Sequence, residues 1–422
     1  MGGRAVGGIV TWCAGIVGAG QYHRRVHDVF AELVGQDEPV EMLRRAAASA
    51  ARVVAGDTAG GGGMTHAWIF TGPPGSGRST AARVFAAALQ CERDGVGCGE
   101  CHGCRTTLGG THADVRIVVS EGLSISVREM RELVMRAASS PSAGRWQVVI
   151  VEDADRLGER AGNALLKAVE EPSPRTVFLL CTPSVHPEDI SVTIRSRCRV
   201  VPLRQAPAAA VAEVLVRRHA IEPEQAAWAA AAAQGDVERA IQLATDADAR
   251  TRREEVLSVP RRLSSIGACF DAAQAMVNAA RRESADAVAE SDATERAALE
   301  QALGAGGTGR GATTAMRGAA GQIKELERRQ KSRATRSQRD ALDRSLKDLA
   351  GFYRDVLITG LRAPVPVVHA DIEQISAAAA EKWSPESVLR RLEAVLACQD
   401  AIERNVKPDI ALEAMMVTLW RG

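Results

Sequence analysis

Ala67-Trp-Ile-Phe-Thr-Gly72-Pro-Pro-Gly-Ser-Gly-Arg78-Ser79-Thr80 runs from a short apolar strand pattern through a glycine-rich turn into a helical pattern. The turn has the spacing G-x4-G-[basic]-[ST], and its place between strand and helix is the setting a phosphate-binding loop requires. The candidate nucleotide-binding residues are therefore Gly72, Pro73, Pro74, Gly75, Ser76, Gly77, Arg78, Ser79 and Thr80. Glycines let backbone N–H groups turn inward around phosphates, and the helix N-terminus adds partial positive charge. Ser79 would sit on Mg²⁺, so ATP with Mg²⁺ is a candidate ligand. Arg78 stands where Lys is usual, and its rigid fork can hold a phosphate yet displace it from the in-line geometry. A glycine-rich turn without ligand is the other reading.

Outward from this loop, four more apolar runs of strand length follow: 114–120, 147–153, 175–182 and 197–203. Near-continuous apolar character means burial on both faces, hence a parallel sheet. Segments such as Gly162-Asn-Ala-Leu-Leu-Lys-Ala-Val169 carry apolar residues at helical spacing between the strands, which predicts a doubly wound α/β unit over 29–205. After Pro207 the strand patterns stop. Helical patterns broken at Pro223 and Gly235 predict a small helical unit over 206–250. A larger helical unit is expected over 251–422, interrupted at about 300–340 by the glycine-rich stretch Gly304–Gly311 and the basic run Lys324–Arg339 as a flexible or extended-helix insertion. A solvated helix face is the plain reading of that run, and DNA contact the sharper one. The fold class is thus α/β plus all-α.

Length and composition agree. The 422 residues correspond to about three domains, and 46% apolar residues suffice for a core in each. A net charge of +1 supplies no whole-protein field toward DNA or an anionic membrane. Aromatics at 3% argue against base-stacking platforms of the single-strand-binding type. No apolar run is long enough for a membrane span. Ala5–Gly20 faintly imitates a signal peptide, but its glycines make a poor apolar core, and residues 1–28 are expected to be a disordered extension.

Three further constellations carry chemistry. Val149-Ile-Val-Glu152-Asp153 ends the third strand with carboxylates at the sheet edge that bears the phosphate loop, making Glu152 and Asp153 candidates for holding Mg²⁺ and water. In working ATPases an Asp there holds Mg²⁺ and a following Glu polarises the attacking water. With the order reversed, Asp153 would stand about a methylene short of that task. Cys91-x6-Cys98-x2-Cys101-x2-Cys104 places four thiols in a short stretch, with Gly97, Gly99 and Gly103 allowing tight turns. This spacing suits tetrahedral Zn²⁺ in a closed, structural site. Nine cysteines without a disulfide framework point to a reducing, cytoplasmic setting, and His102, Cys13, Cys181, Cys198, Cys269 and Cys398 read as ordinary residues. Arg195, Arg197 and Arg199 alternate on the approach to the fifth strand, either as solvated edge charges or with one of them an arginine finger.

Phe30-Ala-Glu-Leu-Val-Gly-Gln36, the phosphate loop, the four-cysteine insertion behind its helix, Asn163-Ala-Leu-Leu-Lys-Ala-Val-Glu-Glu-Pro172, Ser196-Arg197-Cys198 and Asn405-Val-Lys-Pro-Asp-Ile-Ala-Leu-Glu413 together resemble the bacterial clamp-loader subunits of the AAA+ superfamily. The resemblance runs from about residue 29 to the C-terminus, leaving out the basic insertion. Two branches of that family carry the zinc module, the gamma/tau motors and the delta-prime subunits of DNA polymerase III. Motors have Lys in the loop, Asp-Glu after the third strand and a sensor arginine where this chain has Glu238. Arg78, Glu152-Asp153 and Arg239, one place later, resemble the delta-prime branch.

The resemblance implies an AAA+ core, a helical lid and a C-terminal collar that joins gamma/tau and delta subunits in a hetero-pentamer. It implies that the assembly loads a sliding clamp onto primer-template DNA, with no membrane partner. It also implies that Arg197 of Ser-Arg-Cys is a finger given in trans to ATP on a neighbouring motor, and that ATPase of the chain's own is weak or absent. A gamma-like motor tolerating Arg78 is the alternative.

Overall fold

The computed structural model describes residues 28–57, 63–93, 97–120, 124–302 and 312–422. The expected N-terminal extension, Cys13 and the stretch Gly304–Gly311 lie outside them, apart from Asp28. All five apolar runs form strands: β1 (Ala67–Thr71), β2 (Val115–Val118), β3 (Gln147–Val151), β4 (Thr176–Thr182) and β5 (Arg199–Pro202). They make one sheet in the order β2-β3-β4-β1-β5, and every pair is parallel. The crossovers are helical: α1 (Asp37–Val54) precedes β1, α2 (Arg78–Leu89) and α3 (His102–Leu108) lead to β2, α4 (Val127–Ala137) to β3, α5 (Glu159–Glu170) to β4, and α6 (Val192–Arg195) to β5.

Strand alternation sends side chains to two separate cores. Trp68, Phe70, Val148, Ile150, Leu179 and Val201 pack with Leu43 of α1 and Phe85 of α2 on one face. Ile69, Val149, Val151, Phe178 and Leu180 pack with Met130 and Leu133 of α4 and Leu165 and Val169 of α5 on the other. Both faces are covered, which is why the strands read as continuous apolar runs and not as alternating ones.

Beyond β5 the described chain is helical. Helices α7 (Ala208–His219), α8 (Pro223–Ala232) and α9 (Val237–Thr245) enclose a small alanine-rich core around Val211, Leu215 and Leu243. Next come α10 (Ala247–Arg262), α11 (Ile266–Ala302), α12 (Ala312–Leu361), α13 (Glu373–Lys382), α14 (Pro385–Glu403) and α15 (Pro408–Arg421). Their shared core is built on Leu342, Leu349, Phe352, Tyr353, Val395 and Met416. The basic run Lys324–Arg339 lies wholly inside α12, so of the two expected forms it takes the helical one. Among the described residues no helix is long and apolar enough to cross a membrane.

One ion pair ties this helical part to the small helical unit, and a second lies within it. Arg239 of α9 lies 2.5 Å from Asp348 of α12, whose side chain is nearly fully buried. His369 is also buried, between the Asp348 carbonyl and Arg253 of α10, and Arg253 pairs with Asp371 at 2.6 Å. Burial and the Arg253 charge hold the His369 pKa below the ordinary imidazole value.

Candidate nucleotide loop, cysteine cluster and surface arginine

The phosphate-loop segment turns as its glycines permit. Gly75 and Gly77 both take left-handed backbone, at φ +82 and +81, and Gly77 is the N-cap of α2. A side chain at Gly75 would also collide with Asp236, the N-cap of α9, whose Cβ lies 2.7 Å from where that carbon would be. The small helical unit therefore sits directly on the loop and brings a carboxylate to it. Arg78 opens α2, and its guanidinium folds back to donate to the Gly72 carbonyl of the same loop. Ser79 and Thr80 share the first turn of α2, and the Ser76 hydroxyl is buried without a hydrogen-bond partner.

Glu152 and Asp153 follow β3 at the C-terminal sheet edge, where the phosphate loop also leaves β1. Neither carboxylate stands open. Glu152 Oε1 accepts from Arg83 Nη2 at 2.7 Å and Nε at 3.0 Å. Arg83, which the sequence reading did not single out, lies one helical turn after Ser79 on α2, a spacing that puts both on one face. Asp153 lies 2.7 Å from Arg336 of α12, and Arg336 also donates to the Ser120 carbonyl after β2. Nothing in the local sequence joins residues 153 and 336; only the packing of the helical part against the sheet edge does. Burial raises the Asp155 pKa above its ordinary value.

The four cysteines converge. Cys91 follows α2, Cys101 caps α3, and the Sγ atoms of Cys91, Cys98, Cys101 and Cys104 all lie within 4.8 Å of one another. A tetrahedral thiolate set at ~2.3 Å from a metal needs sulfurs about 3.8 Å apart, so these four could hold one ion. Backbone N–H groups already point at the sulfurs: Cys98 N to Cys91 Sγ, Cys101 N to Cys98 Sγ and Cys104 N to Cys101 Sγ, at 3.4–3.5 Å. The hydrogen bond from Cys104 brings the Cys91 thiol down to about 4, while that same bond pushes Cys104 up. Gly97 and Gly99 take left-handed φ as the turns require. His102 is exposed and outside the sulfur cluster, Cys181, Cys269 and Cys398 are buried thiols, and Cys198 is partly buried.

Arg197 precedes β5, whose first residue is in register with Trp68 near the start of β1. The strands being parallel, Arg197 lies at the sheet edge opposite its own phosphate loop, more than ~10 Å away along the strands. Its Nη2 lies 2.7 Å from Glu170 Oε1, and the side chain is partly exposed.

Residues 56–207, which contain the loop, the cysteines and Arg197, match the family model described as DNA polymerase III, delta subunit. Subunit delta' of DNA polymerase III from Pseudomonas aeruginosa is 38% identical over 165 residues, 38% of this chain and 50% of that protein. Residues 56–207 thus resemble subunits of DNA polymerase III. Subunit tau of DNA polymerase III from Bacillus subtilis is 37% identical over 138 residues, 32% of this chain and 24% of that protein. The chain thus spans between about a quarter and half the length of these two relatives. A solved gamma subunit-related protein of DNA polymerase III from Thermotoga maritima aligns with 89% of this chain and 99% of its own, at 13% identity and a TM-score of 0.40, a likeness too distant to bear on function.

Proposed function

We propose that this chain is a delta-prime-like subunit of a DNA polymerase III clamp loader, which helps load a sliding clamp onto primed DNA and gives Arg197 as a finger to ATP held by a neighbouring gamma/tau subunit. The observation that carries the reading is the state of the chain's own loop. Arg78 is turned onto the Gly72 carbonyl, and Glu152 and Asp153 are both engaged by arginines of the same chain. A carboxylate neutralised in this way is a poor ligand for Mg²⁺ and a poor base for water. Arg197 cannot reach its own loop from the opposite sheet edge, which supports action in trans. A permanently charged planar guanidinium suits the charge spread over the oxygens of a transferring phosphoryl group.

In this reading residues 29–205 are the AAA+ core, 206–250 the lid and 251–422 a collar that joins gamma/tau and delta in a hetero-pentamer. Exposed Leu389 and Leu396, one heptad apart on α14, together with Ile410 on α15, give the collar apolar surface for such a contact. The cysteine cluster holds structural Zn²⁺ and the chain works in the cytoplasm. Steady-state ATP hydrolysis by the isolated chain with Mg²⁺ tests the reading: turnover near background is expected, and substantial turnover would favour a gamma-like motor.

A further inference from the structure

Arg197 is held from three sides. Its Nη1 donates to the Thr193 carbonyl at 2.9 Å and to Ser196 Oγ at 3.2 Å, and its Nη2 lies 2.7 Å from Glu170 Oε1. Glu170 is the last residue of α5, Thr193 belongs to α6, and Ser196 is the C-cap of α6. A carbonyl and a hydroxyl at the end of α6 therefore converge with a carboxylate from the end of α5 on one guanidinium. About a third of the Arg197 side chain, 37%, stays exposed.

We infer that Glu170 is the positioning residue for Arg197, fixing the guanidinium in the orientation from which it meets a phosphate on the adjacent subunit. The inference rests on reading Arg197 as a finger in trans. A free arginine side chain has several rotatable bonds, and ordering it only when the neighbour docks would be charged against the transition state. The contacts to Thr193 and Ser196 fix one terminal nitrogen but leave the plane of the group free to turn about it. The Glu170 carboxylate engages the second nitrogen and stops that rotation. Exposed ion pairs contribute little to folding, so loss of Glu170 should be felt in the placement of the guanidinium and hardly in stability. Nor does Glu170 cancel the finger, because a guanidinium has five N–H donors and one carboxylate cannot occupy them all.

The test uses the reconstituted clamp loader with its clamp and primed DNA, and its reference is the part of ATP turnover that Arg197→Ala removes. Glu170→Gln keeps the shape and removes the charge. It should lower the kcat of that Arg197-dependent part ~3- to 10-fold with KM for ATP unchanged, the size expected for a rotamer ordered late. Glu170→Asp should recover part of the loss, and Glu170→Gln added to Arg197→Ala should change nothing further. An Arg197-dependent kcat that is unchanged or raised in Glu170→Gln, or an equal loss in the Arg197→Ala background, overturns the positioning role while leaving the finger standing. If Arg197→Ala itself removes no turnover, the finger reading fails and Glu170 has nothing to position.

Discussion

Arg336, near the middle of α12, lies 2.7 Å from the carboxylate of Asp153 at the end of β3. The two residues are far apart in the chain, and their side chains are 20% and 18% exposed, so the pair is largely withdrawn from water. The same guanidinium takes the Ser120 carbonyl after β2, and one helix thereby spans the carboxyl ends of two adjacent strands. The long helix is both a part of the C-terminal bundle and a wall of the candidate nucleotide site.

Arg336→Ala should leave Asp153 without its partner at a cost of about 1–3 kcal/mol, the range for an unsatisfied buried group. Amide exchange at the ends of β2 and β3 and around residue 336 should then quicken at least ~5-fold. Unchanged exchange at all three places would mean that the pair does not hold the helix to the sheet.

Native protein purified without chelator should carry about one equivalent of zinc, and Cys101→Ser should lose it. With one of the four ligands gone, the variant should also lose order between Cys98 and α3, seen as rapid exchange there. Metal analysis that finds no zinc in the native protein refutes the site.

His369 gives stability a definite pH dependence. Its folded pKa is lowered, so below about pH 6.5 the unfolded chain binds a proton that the folded chain refuses. Stability should be insensitive to this group above that pH and fall as pH drops below it. Melting at pH 7.5 and 5.5 should show a drop that His369→Gln reduces; an equal drop in the variant assigns the effect elsewhere.

Arg239→Ala should destabilise the contact between the small helical unit and α12 by about 3–5 kcal/mol, since it strands the buried Asp348 carboxylate. Thermal unfolding that is unmoved by the substitution would show that the pair is idle.

Ile410 is 57% exposed on α15, whereas its neighbours Ala411 and Leu412 are buried in the bundle. Ile410→Asp should therefore weaken assembly with partner subunits on a sizing column and leave the chain folded. Unchanged assembly would count against the collar role.

The sheet was legible in the sequence because both of its faces are buried. Each strand had to be a short continuous apolar run, and the phosphate loop fixed the order of the first strand and helix. The cysteine cluster was legible for a related reason: four ligands and their turn glycines lie within one short stretch, so their convergence is local. What surrounds the loop was not legible. Asp236 reaches Gly75, and Arg336 reaches Asp153, through packing between distant helices and the sheet edge, and neither residue type is unusual where it stands. The basic run of α12 shows the same limit. Its charge pattern suited a flexible or extended-helix insertion with a solvated or DNA-facing surface, and the helix forms, but Arg333 is spent on Asp292 and Glu295 of α11, and Arg336 on Asp153.

The proposed role puts Arg197 on a neighbour's ATP and not on the chain's own. Clamp- and DNA-stimulated ATP hydrolysis by a reconstituted clamp loader carrying Arg197→Ala tests it most directly. Arginine fingers contribute on the order of 10³-fold or more to turnover at the site they serve, so that site should fall silent while the complex still assembles. Stimulated turnover equal to that of the unaltered complex would contradict the account.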